Sequence, residues 1–246
     1  MTPTHSPGFR ALARAYGRQR LARTLDGLYA QGLEAARARC AEQPLLFAAN
    51  HVGWWDAFLL VALDEALRCE GRALMDAANL RRLRFFGWLG ALPLSPASAL
   101  GDLRAAADWL GRPGHALWVF PQGEQRPAHL RPLGFRGGVR LLAKLAPRAA
   151  VVPVAFQYAF REAPAPAAYA HLGAALPAAK VAAADGVARL ERAVETGLAE
   201  IDAALAGHRA PFPALVPPRR RTVDGGLGAR LLGGRPRPRS EDEEHA

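Results

Sequence analysis

The sequence contains few cysteines, few serines and no long apolar run, and each scarcity counts against a class of protein. The two cysteines, Cys40 and Cys69, are too few and too far apart to predict a disulfide framework or a cysteine metal site. None of the four serines lies in the nucleophile elbow of a serine hydrolase: Ser6, Ser95, Ser98 and Ser240. No stretch approaches the roughly 18 uncharged apolar residues of a transmembrane helix, so we expect none.

Lysine is also scarce, so almost all of the positive charge comes from arginine. Lys144 and Lys180 are the only lysines, yet the formal net charge of the 246-residue chain is +10. Arginine suits phosphate recognition, and a basic balance suits an anionic membrane or nucleic acid. Residues 1–7 lack the apolar segment of a signal peptide. Half of the residues are hydrophobic, which is enough for the core of one α/β domain.

A histidine and an aspartate, His51 and Asp56, lie where a predicted strand passes into a predicted helix. The apolar run 45–49 predicts a buried strand, and the apolar run 57–63 predicts a helix. Residues five apart on a regular helix are about 140° apart around its axis, so the two side chains meet only if the chain turns between them. Gly53 permits that turn. A bonded carboxylate would make the imidazole a base, whereas the alternative is a buried histidine beside a helix-start aspartate.

The alternation of strands and helices predicts one α/β domain with a mixed, mostly parallel sheet flanked by helices. Residues 8–39 form a basic amphipathic helical segment that either lies on a membrane surface or packs on its own domain. Proline, glycine and arginine dominate the end of the chain, which predicts a disordered C-terminal tail. The predicted boundaries are 1–40 for the N-terminal segment, 41–210 for the domain and 211–246 for the tail.

Two later stretches also follow predicted strand ends. The buried strand 115–120 leads into Pro121-Gln122-Gly123-Glu124-Gln125-Arg126, where glycine and arginine suit an anionic group held by backbone N–H groups and a guanidinium. The strand 149–156 contains Pro153, which indicates an edge or a bulge. The aromatic cluster within 85–88 could line a lipid-facing groove or belong to the core.

Four blocks in this order resemble the glycerolipid acyltransferases, typified by lysophosphatidate (1-acylglycerol-3-phosphate) acyltransferase. They are Asn50-His51-x4-Asp56, the glycine-marked apolar block 87–94, Phe120-Pro121-Gln122-Gly123 and Val152-Pro153-Val154. The turn Phe135-Arg136-x-Gly138 also looks like the family's Phe-Lys-x-Gly. The resemblance covers about residues 45–157, and its first and third blocks together are the most specific part.

The resemblance implies that His51 is the general base, that Asp56 orients it, and that acyl-CoA or acyl-carrier protein donates a fatty acyl group. The implied acceptor is the hydroxyl of a lysophospholipid, a glycerol phosphate or a related lipid, as in phospholipid biosynthesis, with no cofactor beyond the donor. The implied substrate-binding residues are Gln122, Gly123, Glu124, Arg126, Arg136 and Pro153. Arginines beside aromatic residues, either in the N-terminal segment or in the block around Phe85, Phe86 and Trp88, predict a peripheral enzyme on the cytoplasmic face of the cell membrane. We expect no nucleic-acid partner.

Two blocks depart from the family's usual pattern. The third usually reads Phe-Pro-Glu-Gly-Thr-Arg-Ser, whereas here Gln122 replaces the glutamate, Glu124 replaces the threonine and Arg126 stands one place late. The second usually ends in an arginine, where Ser95 and Pro96 stand here. The family residues are implied to hold the glycerol phosphate. A phosphate-bearing acceptor therefore does not follow from the resemblance, and Arg126 and Arg136 are the candidate substitutes.

Two other classes compete with an acyltransferase. A basic membrane- or nucleic-acid-binding protein without catalysis would use the arginines and would not need His51. A zinc enzyme would need clustered ligands, and the other candidate histidines are scattered: His115, His129 and His171. We therefore expect an acyltransferase without a bound metal, and keep the binding protein as the alternative.

Overall fold

The computed structural model describes residues 7–161, 163–209 and 211–218. The helices in this part of the chain are α1 (Pro7–Thr24), α2 (Leu33–Glu42), α3 (Asp56–Leu67), α4 (Ala77–Arg82), α5 (Phe85–Trp88), α6 (Ala99–Trp109), α7 (Gly138–Leu145), α8 (Ala178–Ala182) and α9 (Gly186–Leu205). The strands are β1 (Leu28–Gln31), β2 (Leu45–Ala49), β3 (Glu70–Asp76), β4 (Ala91–Leu94), β5 (His115–Val119), β6 (Ala150–Ala159), β7 (Ala167–Leu172), β8 (Leu176–Pro177) and β9 (Ala214–Val216).

The described strands form a single mixed sheet. Its order is β4-β3-β5-β2-β6-β7-β1-β9, and β8 pairs with β6 beside this path. Neighbours from β4 to β6 are parallel, as are β7 and β1, whereas β6–β7, β1–β9 and β6–β8 are antiparallel. The predicted α/β fold with a mostly parallel sheet flanked by helices is confirmed.

Strand β2 lies in the interior of the sheet and places the site. All five of its residues are buried. Alternate side chains of a strand point to opposite faces, so Leu45 and Phe47 join the core on one face and Leu46 joins the core on the other. The Phe47 ring stacks on Trp118 of β5, with ring centroids 4.0 Å apart. Helices cover both faces of the sheet. Because β2 is held on both sides, its carboxyl end fixes the position of the residues that follow it.

The N-terminal segment predicted for residues 8–39 is divided into two helices and a strand. Helix α1 packs on α3, with Leu21 buried in the core. Strand β1 then enters the sheet between β7 and β9. Gly32 follows β1 with a φ of 84°, and a Cβ there would approach the Leu172 carbonyl oxygen to 2.1 Å. The segment thus belongs to the domain rather than preceding it.

Among the described residues, no helix is long and apolar enough to span a bilayer.

The start of the predicted tail is also ordered. Residues 214–216 form β9 and pair antiparallel with β1, so the prediction of disorder from residue 211 is wrong for this short stretch. Residues 219–246, which make up the rest of the predicted tail, lie outside the described residues.

Pro153 does not mark a sheet edge, because β6 lies between β2 and β7. The Pro153 carbonyl accepts a hydrogen bond of 2.9 Å from the Gly173 N–H. A residue's nitrogen and carbonyl point to the same side of a strand, so the proline nitrogen faces the β7 side. There the pairs with β8 end at Val151 and those with β7 begin at Val154. Pro153 therefore lies between the β8 pairs and the β7 pairs, where no hydrogen bond from its nitrogen is required. The prediction that Pro153 marks a sheet edge is wrong.

Candidate active site

The loop between β2 and α3 brings His51 and Asp56 together. His51 Nδ1 lies 2.7 Å from Asp56 Oδ2. Residues 50–55 separate the strand from the helix, and Asp56 is the first residue of α3. The predicted contact between the two side chains is confirmed, since the chain turns between them, with the Asp56 N–H bonded to the Gly53 carbonyl. The catalytic role of the pair remains a prediction.

Asp56 is completely buried but has hydrogen-bond donors on both carboxylate oxygens. Besides His51, Oδ2 accepts from the backbone N–H groups of Val52 (2.7 Å) and Gly53 (3.0 Å). Oδ1 accepts from the Tyr158 hydroxyl at 2.7 Å. A buried charge is tolerated only when it is paired and hydrogen-bonded. The arrangement fixes the position of the carboxylate and, through Oδ2, the orientation of the His51 ring.

Tyr158 is the residue of this group that sequence reasoning missed. It lies on β6, 102 residues after Asp56, and no local pattern connects the two positions. Burial, and then the charge of Asp56, raises the pKa of Tyr158 far above its ordinary value. The hydroxyl therefore keeps its proton and donates to Asp56.

Two buried amide side chains hold the His51 loop in place. Asn50 donates to the Phe156 carbonyl at 2.9 Å and accepts from the Phe156 N–H at 2.7 Å, which ties the loop to β6. Gln122 accepts from the His51 N–H and donates to the Leu133 carbonyl at 3.1 Å. An ionised glutamate at position 122 could not make the second bond, because it has no donor. Gln122 thus acts inside the protein, beneath the loop.

His51 opens onto a groove of about 830 Å³. Its side chain is 24% exposed, and its ring stacks on Phe120 at a centroid distance of 4.3 Å. Nδ1 is occupied by Asp56, and Nε2 has no hydrogen-bond partner among the described residues. Most of the groove wall is apolar and comes from β3, β4 and the helices around them, including Leu60, Leu74, Leu83, Phe86, Leu94, Leu103 and Leu142. A base beside an apolar groove can take a proton from a substrate that has a hydrocarbon chain.

The six predicted substrate-binding residues separate into two groups. Gly123, Glu124 and Arg136 line the groove. Gln122, Arg126 and Pro153 are not among its lining residues. Arg126 directs its guanidinium to the carbonyl oxygens of Pro132 (3.3 Å) and Leu133 (2.9 Å), and its backbone N–H donates to the His51 carbonyl.

Arg136 is the better placed of the two candidate arginines. Its guanidinium lies against Gly123, where a Cβ would approach Nη1 to 2.9 Å. Gly123 has a φ of 73°, so a glycine suits both the turn and this close approach. The groove also contains Arg82 and the carboxylates of Asp76 and Glu124, so its polar residues carry balanced charge. Among the described residues no group of three metal-ligating side chains exists.

Comparisons with known proteins give a family and a similar fold. A family model described as Acyltransferase matches residues 27–157, more than half of the chain. Among solved structures, the chain is similar to the 1-acyl-sn-glycerophosphate (LPA) acyltransferase PlsC from Thermotoga maritima, with a TM-score of 0.61 and 17% sequence identity. That match covers 79% of this chain and 80% of the other, and at this identity it concerns the fold. A search of curated proteins finds no significant match.

Proposed function

The chain belongs to the acyltransferase family, as the four sequence blocks predicted, and we propose that it moves a fatty acyl group from acyl-CoA or acyl-carrier protein to a lipid hydroxyl. The proposed acceptor is a lysophospholipid, a glycerol phosphate or a related lipid. The observation that carries the proposal is the His51–Asp56 contact of 2.7 Å beside an apolar groove. An acyl donor needs room for its hydrocarbon chain, and the acceptor hydroxyl needs a base.

In the proposed mechanism His51 acts first as a base and then as an acid. Nε2 takes the proton of the acceptor hydroxyl while the hydroxyl oxygen attacks the thioester carbonyl, which forms a tetrahedral intermediate. Asp56 stabilises the imidazolium through Nδ1–H. Collapse of the intermediate breaks the C–S bond, and the imidazolium returns the proton to the leaving thiolate. The products are an ester and a free thiol, and no covalent enzyme intermediate is needed.

A thiol-release assay tests this direct transfer. Purified protein is incubated with acyl-CoA, with or without a lysolipid acceptor, and the free thiol is followed. We expect release that depends on the acceptor and equals the ester formed. Release at the same rate without acceptor would indicate hydrolysis instead, and would contradict the proposal.

The two candidate arginines are predicted to differ in their effect on an anionic acceptor. Arg136→Ala removes a cation from the groove, so we expect KM for lysophosphatidate to rise about ten-fold and KM for monoacylglycerol to stay the same. Arg126→Ala is the matched control, because its guanidinium serves two backbone carbonyls. We expect it to affect both acceptors by the same factor. If Arg136→Ala raised KM equally for the two acceptors, Arg136 would not bind the head group.

We also propose that the enzyme lies on the cytoplasmic face of the cell membrane. An exposed aromatic surface supports this, with Trp54 50% exposed and Trp88 45% exposed. The Trp54 and Phe86 rings are 5.7 Å apart, and Phe86 lines the groove, so this surface is next to the groove. Arginines from the same region are also exposed: Arg81, Arg82 and Arg84. Aromatic side chains beside arginines suit the interface of an anionic bilayer.

Vesicle co-sedimentation tests this surface. The double change Trp54→Ser and Trp88→Ser is expected to lower binding to phosphatidylglycerol vesicles about ten-fold or more, because two large apolar side chains no longer enter the interface. Phe160→Ser is the matched control, since Phe160 is an exposed aromatic residue that directly follows β6 and does not line the groove. Binding that is indifferent to the tryptophans and to anionic lipid would contradict the proposal.

A catalytically inactive membrane- or nucleic-acid-binding protein is the alternative function. Its support is the basic composition of the chain. It differs from the acyltransferase in one decisive respect, because binding by arginines does not require His51.

A further inference from the structure

Tyr158 completes a chain of hydrogen bonds that begins at the proposed base. We propose that Tyr158 is a positioning residue, which holds Asp56 and, through Asp56, keeps His51 in the orientation and tautomer that proton transfer requires. The inference rests on the proposed function, since it concerns the same His51 base.

The contacts of Asp56 are unevenly divided between its two oxygens. Oδ2 receives three donors, from the His51 ring, the Val52 N–H and the Gly53 N–H. Within the described part of the chain, Oδ1 accepts a hydrogen bond only from the Tyr158 hydroxyl. Without the tyrosine hydroxyl, one oxygen of a fully buried carboxylate would lack a donor. The carboxyl group could then rotate toward other donors and carry the His51 ring with it.

Tyr158 donates its hydrogen bond to Asp56, and this direction helps His51 to act as a base. The phenol keeps its proton in this buried site, so it donates to the carboxylate. The titratable groups that contact Asp56 are His51 and Tyr158, and its other contacts are backbone N–H groups. Asp56 is thereby held as an acceptor, which is the form that receives Nδ1–H and leaves Nε2 free to take a proton.

Tyr158 is also separated from the substrate. It is not among the residues that line the groove, and it reaches the site from β6, the strand paired with β2. Its ring packs against the core while its hydroxyl makes the bond to Asp56. Replacement by phenylalanine therefore retains the packing and removes the hydrogen bond alone.

The first test compares Tyr158→Phe with Tyr169→Phe. Tyr169 is a matched control, a buried tyrosine on β7 whose hydroxyl accepts from Arg161 at 3.4 Å. We expect Tyr158→Phe to lower kcat about 10- to 100-fold, the effect of losing one hydrogen bond to a charged group. KM should change by less than about two-fold. Tyr169→Phe should leave both constants near those of the wild type. Unchanged kcat in Tyr158→Phe would overturn the inference.

A second test asks whether Tyr158 acts through Asp56. We expect the double variant Tyr158→Phe/Asp56→Asn to be as active as Asp56→Asn alone, because the residue on which Tyr158 acts has already been changed. A further 10- to 100-fold loss in the double variant would show an independent role and overturn the inference.

Spectroscopy separates positioning from a general structural role. In ¹⁵N NMR, assigned by comparison with His51→Ala, the wild-type His51 ring is expected to be protonated at Nδ1, and Tyr158→Phe should increase the Nε2-protonated form. An unchanged tautomer, or a Tyr158→Phe protein that unfolds while Tyr169→Phe remains folded, would make Tyr158 merely structural. Retained activity in His51→Ala would instead refute the proposed base itself, so the two failures are distinguishable.

Discussion

His51→Ala is expected to abolish nearly all acyl transfer and to leave the fold intact. The acceptor hydroxyl would lose its base and the leaving thiolate would lose its acid, and general acid–base catalysis typically contributes a factor of about 10² to 10⁴. The side chain is partly exposed beside the groove, so its truncation removes little core packing. The measurement is kcat for acyl transfer from acyl-CoA, together with the thermal unfolding midpoint.

His129→Ala provides the matched control for this loss. His129 is exposed and does not line the groove, so its removal should not change kcat. If His51→Ala retained more than about a tenth of the wild-type rate while folded, His51 would not be the base. The binding-protein alternative predicts that outcome, because it assigns His51 no role.

Asp56→Asn is expected to produce the second large loss, about 10²- to 10⁴-fold in kcat. The two carboxylate oxygens of Asp56 accept four hydrogen bonds. An asparagine would have one acceptor oxygen, and its NH₂ group would donate instead of accepting. The imidazole is then expected to adopt the tautomer protonated at Nε2, which cannot take a proton from the acceptor. The developing imidazolium also loses its carboxylate partner.

Asp202→Asn makes the same chemical change away from the site. The Asp202 carboxylate accepts from Gln157 on the protein surface, so this variant should retain the wild-type kcat. Near-wild-type activity in a folded Asp56→Asn protein would show that the carboxylate does not support the base. Thermal melts of both variants separate a catalytic loss from unfolding.

The sequence predicted the centre of the site because its determinants are local. The buried run of β2, the glycine and the apolar start of α3 all lie within a short stretch of chain, so the turn that joins His51 to Asp56 follows from residue types. The alternation of strands and helices likewise predicted the α/β sheet. The family resemblance depended on the order of four such local blocks.

The parts that the sequence did not predict depend on contacts between distant positions. Tyr158 and Asp56 are 102 residues apart, and nothing near either residue indicates the other. Arg126 was a candidate for the substrate because of its place after a strand, and no local pattern predicted that its Nη1 donates to the carbonyl oxygens of residues 132 and 133. Strand β1 was not predicted, because it lies in an arginine-rich segment and its partners, β7 and β9, come from the other end of the chain.

The most direct test of the central claim is transfer of a labelled acyl group by the purified protein. Labelled acyl-CoA and acyl-carrier protein are each offered with a panel of lysolipids, and wild type is compared with His51→Ala and His129→Ala. We predict a labelled ester for at least one acceptor with wild type and His129→Ala, and almost none with His51→Ala. No labelled ester with any acceptor, or equal product from His51→Ala, would contradict the assignment of His51 as the base of an acyltransferase.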